Sequence, residues 1–91
     1  MHTYTLDANN MLTLEAAYDE FESVLELPKY FGRNLDAFEE CVADLADKEG
    51  SITLIVEHAD MLEDRLAEWK DFSALLVANP YVSLIEEKDD F

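Results

Sequence analysis

SITLIVE, residues 51–57, is a near-continuous apolar run rich in β-branched side chains. That pattern predicts a central strand covered on both faces. The stretch before it, DKEGS (47–51), turns the chain. Two further strand patterns lie far off on either side. HTYTLD (2–7) alternates and is rich in Thr and Tyr, and YVSLIEE (81–87) follows Asn79-Pro80.

The segments between carry helical spacing. After turn residues Asp7, Asn9 and Asn10, the apolar positions Leu14, Ala17, Tyr18, Phe21, Val24 and Leu25 recur every three or four residues. Thr13 suits the N-cap, and Glu15, Glu20, Glu22 and Glu26 take the wet face. Leu27-Pro28 ends this helix, because a residue before proline is pushed away from helical angles. A loop, KYFGRN, closes on Gly32 and Asn34, and Asn34 can cap a second helix ending near Asp47. Its apolar stripe is Leu35, Phe38, Cys41, Val42 and Leu45. Beyond the central strand, Asp60 with Glu63 resembles a capping box. With Asp71 able to cap a further turn, residues 60–79 form one or two helices. The order is strand, two helices, strand, one or two helices, strand. Crossovers that long allow parallel pairing through right-handed connections.

Ninety-one residues suit one domain, 1–91, and 49% hydrophobic content with ten aromatics suffices for a core. A formal net charge of −16 argues against DNA, RNA or an anionic membrane as a direct partner, since each needs a basic face. It favours a basic protein. A single cysteine, Cys41, allows no internal disulfide and fits a reducing compartment. With no apolar run long enough to span a bilayer and no signal-like start, the expectation is a cytoplasmic protein.

Few residues point to catalysis. The two glycines, Gly32 and Gly50, form no phosphate loop, and His2 and His58 stand far apart. No HExxH, CxxC or EF-hand spacing occurs, so neither metal nor cofactor is expected. Cys41 falls on an apolar stripe, where a packing role is expected, and Trp69 belongs to the core by its spacing from Leu62 and Leu66. No catalytic residue is assigned. A small hydrolase acting through His58 lacks support from any motif.

The second helix is unusual in another way. Asp36, Glu40 and Asp44 stand four residues apart, with Glu39 and Asp47 nearby. Like charges at that spacing repel by a few tenths of a kcal/mol per pair. Lys29 and Arg33 both precede the helix. Tyr30 and Phe31, adjacent aromatics beside a glycine, cannot easily both point inward. A rigid aromatic displayed beside charged groups has the ingredients of an interface hot spot.

At these residues the chain resembles the barstar family of intracellular ribonuclease inhibitors. The resemblance rests on Leu27, Pro28, Tyr30, Phe31, Gly32, Asn34, Leu35, Asp36, Ala37 and Cys41 at the family's spacings. It implies a barstar-like α/β fold, a three-stranded parallel sheet packed with three to four helices. It also implies a one-to-one complex in which the loop and acidic helix plug the basic active site of a ribonuclease toxin. By position, Tyr30 is the aromatic contact, Asp36 the first acid, and Glu40 stands for the aspartate that enters the phosphate pocket. Gly32 and Asn34 shape the loop, while Phe31, Glu39 and Asp44 complete the expected face. Glu39 stands where the family has tryptophan, Arg33 where it has an acid, and Ala74 near a further acidic contact. Such departures point to a target other than barnase, with this chain as immunity protein or antitoxin. A different expectation from the same acidity is a nucleic-acid mimic that occupies a DNA-binding protein.

Overall fold

The computed structural model describes residues 2–28 and 31–88. Strand β1 (His2–Asp7) leads through a 3₁₀ turn (Ala8–Asn10) into α1 (Leu14–Leu25) and α2 (Leu35–Glu49). Strand β2 (Ile52–Glu57) follows, then a second 3₁₀ turn (Ala59–Met61), α3 (Leu62–Arg65), α4 (Trp69–Ala78) and β3 (Val82–Glu86). The strands form one parallel sheet in the order β1-β2-β3, with Ile52 opposite both His2 and Val82. The expected α/β fold, a three-stranded parallel sheet with four helices, is therefore present.

SITLIVE is the central strand, but it is not covered on both faces. Ile52, Leu54 and Val56 are buried, whereas Thr53 and Ile55 on the other face are half-buried. Thr3, Thr5, Ser83 and Ile85, which share that second face, are exposed. Topology gives the reason. Both crossovers step the same way across the sheet, so connections of one hand put every helix on one side. Coverage of both faces requires the strand order to reverse. An apolar run alone does not carry that information.

The helices share the covered face: α1 packs on β1, α4 on β3, and α2 on β2 and α4. Five aromatic rings fill the middle. Phe38 of α2 meets Phe21 of α1 at a centroid distance of 4.5 Å and Phe72 of α4 at 5.1 Å. Tyr18 bridges Phe72 and Phe31, both edge-on at 5.5 Å. Trp69 is buried, and its indole N–H donates to Glu86 across to β3 at 2.9 Å.

Thr13 caps α1, its Oγ1 accepting from Ala16 N at 3.1 Å. Two boundaries differ from expectation. α2 runs through Asp47 to Glu49, so the turn is confined to Gly50 and Ser51, with Gly50 at φ 90°. Residues 60–79 form two helices, yet neither starts on the expected cap. Met61 and Glu68 occupy the N-cap positions without side-chain cap bonds, and Asp71 lies inside the first turn of α4.

Candidate functional site

The site begins where α1 stops. Glu26 takes a left-handed conformation (φ 53°), and Leu27 N–H donates back to the Glu22 carbonyl at 3.2 Å. The next turn is closed by Phe31 N–H donating to the Pro28 carbonyl at 3.0 Å. Phe31 then enters the aromatic cluster and is only 8% exposed. Phe31, expected on the partner-facing surface, packs its ring edge-on against Tyr18 in the free chain. The displayed aromatic expected at Tyr30 lies outside the described residues.

Gly32 leaves room that a side chain would take. A Cβ there would come within 3.2 Å of the Asn34 amide nitrogen and 3.6 Å of Ala37 Cβ. Asn34 works in both directions, as expected for a cap. Its Oδ1 accepts from Ala37 N at 2.8 Å, and its Nδ2 donates to the Gly32 carbonyl at 3.2 Å. One side chain thus starts α2 and sets the loop's path, satisfying an otherwise orphaned helical N–H.

Arg33 supplies what the sequence reading lacked. It is left-handed (φ 48°), a strained backbone for a non-glycine residue. Its guanidinium turns back onto α1, pairing through Nη2 with Asp19 and through Nε with Glu22 at 2.7 Å. These hydrogen bonds raise its pKa further. Asp19 and Glu22 stand three apart on one helix face, a spacing visible in the sequence. Nothing in the sequence brings a loop arginine against them. The consequence is electrostatic: the Arg33 charge is directed onto α1 rather than toward a cationic partner.

Along α2, Asp36, Glu39, Glu40 and Asp44 are all exposed. Among the described residues none of them makes an ion pair. Asp36 lies in the first turn and Lys48 in the last, so each complements the helix dipole, and Lys48 follows Asp44 by one turn. Repulsion therefore concentrates on Glu40, with an acid one turn away on each side and no terminus near. Cys41 is half-buried rather than fully packed. Burial pushes its thiol pKa up, and neighbouring Asp44 and Glu40 push it further. Such a thiol is a poor nucleophile.

Among the described residues there is no cluster of three or more His, Cys, Asp or Glu able to hold a metal. No described helix is long and apolar enough to cross a membrane. The arrangement offers a row of solvated carboxylates on a helix whose start is capped by Asn34.

Two comparisons bear on this arrangement. The chain is 27% identical over 71 residues to "Putative ribonuclease inhibitor YrdF" of Bacillus subtilis (strain 168), covering 78% of this chain and 76% of that protein. Residues 1–80 match the family model described as Barstar (barnase inhibitor). Loop, capped acidic helix and parallel sheet thus agree with the sequence match, and the chain belongs to the barstar family.

Proposed function

We propose that this chain is an inhibitor of a basic ribonuclease, binding one-to-one and blocking the active site with loop 27–34 and the exposed face of α2. The observation that carries the reading is the exposed row Asp36, Glu40 and Asp44, without an ion pair among the described residues, beside a loop arginine turned away from it. A ribonuclease site holds RNA phosphates with cations, and carboxylates at helical spacing can occupy those cations in their place. Self-repulsion within the free helix is then relieved on binding, which is electrostatic complementarity. Tyr30, Gly32, Asn34, Asp36, Glu39, Glu40 and Asp44 form the proposed contact surface, with Phe31 supporting it from below. The protein acts without catalysis of its own, in the cytoplasm, as immunity protein or antitoxin to a ribonuclease toxin.

The departures at Arg33, Glu39 and Ala74 favour a target that is not barnase itself. Recovery of a ribonuclease from a lysate on the immobilised protein, followed by an RNA cleavage assay with the recovered enzyme, tests the reading. Stoichiometric loss of cleavage is expected. Recovery of a DNA-binding regulator, with ribonuclease activity untouched at equimolar inhibitor, would instead favour nucleic-acid mimicry.

A further inference from the structure

Beside the acidic row, between the end of α1 and the middle of α2, lies a cavity of about 250 Å³. Its inner wall is apolar: buried Leu25 and half-buried Leu27, Pro28, Cys41 and Leu45. Among the described residues its mouth carries three exposed carboxylates, Glu26, Glu40 and Asp44, against one ammonium, Lys48. From this pairing of an apolar wall with an anionic mouth we infer that the cavity is a socket for one arginine side chain of the partner protein.

Size and chemistry favour that occupant. The cavity falls below the roughly 300–1,000 Å³ of a pocket that holds a small-molecule ligand. A long side chain with an aliphatic stem and a cationic head matches the two zones, stem against the leucines and Pro28, head among the carboxylates. Arginine fits better than lysine, because its planar guanidinium is more weakly hydrated and can bridge two carboxylates. Glu40 and Asp44 belong both to the proposed binding face and to the socket mouth, so the inference rests on the ribonuclease-inhibitor reading. It adds a reciprocal contact: the helix enters the partner, and a partner arginine enters between the helices.

The test uses the intact chain and needs no cognate nuclease. N-acetyl-arginine methylamide and N-acetyl-norleucine methylamide are titrated while the methyl resonances of Leu25, Leu27 and Leu45 are followed by NMR. Expected are saturable shifts confined to these residues with the arginine probe, in the millimolar range. They should weaken with added salt and disappear in the Glu40→Gln/Asp44→Asn double variant, while norleucine shifts them far less. Replacement of Lys48 by Gln should tighten arginine binding. Equal response to norleucine, or no saturable shift at the leucines, would overturn the socket. That result in a chain that still inhibits a ribonuclease would leave the inhibitor reading standing. Arginine-specific shifts in a chain that binds no ribonuclease would uphold the socket and sink the inhibitor reading.

Discussion

At the scale of single residues, charge and backbone conformation decide more than residue type. Arg33 occupies a position where a cation should hinder a cationic partner, yet its charge is directed onto Asp19 and Glu22. Arg33→Gly separates its two contributions, since glycine adopts the left-handed backbone freely while losing both ion pairs. Hydrogen exchange at residues 31–34 is expected to quicken with little change in melting temperature, and inhibition is expected to weaken a few-fold. Inhibition equal to that of the parent would mean that the clamp does not shape the binding loop. Titration of Cys41 gives a second test. Its folded pKa lies above the ordinary 9.0, as those of Tyr4 and Tyr18 lie above 10.0, in each case first through burial. The unfolded chain therefore releases these protons before the folded one does, so their contribution is intact below about pH 8.5 and falls as pH rises. Melting temperature should decline from about pH 8.5 to 10.5, and less steeply in Cys41→Ala. A melting temperature that rises across that window would contradict the assignment.

At the scale of elements, the question is what anchors the start of α2 to the core. Phe31 is buried against Tyr18, and Tyr18 against Phe72, so the loop is tied to α1 and through it to α4. Replacing a buried phenylalanine by alanine costs about 3 kcal/mol or more, through lost transfer energy and the cavity left behind. Phe31→Ala should therefore lower stability by that order in a denaturant melt, whereas a surface contact would leave stability almost unchanged. The elements themselves were legible: period-2 and period-3.6 patterns, Thr13 and Asn34 as caps, and Asn79-Pro80 as a stop all match. The errors have physical causes. That Phe31 turns inward depends on a tertiary neighbour, Tyr18. The left-handed turns at Glu26 and Arg33 fall on residues that do not advertise positive φ. Asp60 lies within a 3₁₀ turn and Asp71 within the first turn of α4, so neither occupies an N-cap position.

At the scale of the whole molecule, the sheet's strand order leaves one face open and gathers every helix on the other. The acidic row of α2 is displayed there on the outer side of that layer. A chain of net charge −16 repels itself, and salt screens exposed charges beyond about 8–10 Å at physiological ionic strength. Added salt should therefore raise the melting temperature of the free protein while slowing its association with a cationic nuclease. An association rate indifferent to salt would argue against steering by this surface.

The central claim is that α2 carries carboxylates in place of RNA phosphates, and Glu40 is where it is most exposed to test. Glu40 meets repulsion from both Asp36 and Asp44, so its removal should stabilise the free protein by a few tenths of a kcal/mol. In the complex, the same truncation leaves partner cations buried without their anion. The loss is then about 2–5 kcal/mol or more, a range to which complexes of this family themselves contribute. Asp47, in the last turn where an acid opposes the helix dipole, serves as the control. The decisive measurement is the inhibition constant of Glu40→Ala against the cognate ribonuclease, taken beside its melting temperature and those of Asp47→Ala. The account predicts inhibition weakened at least thirtyfold, the equivalent of about 2 kcal/mol, in a protein that melts no lower than the parent, with Asp47→Ala inhibiting almost normally. A folded Glu40→Ala protein that inhibits as well as the parent would contradict it.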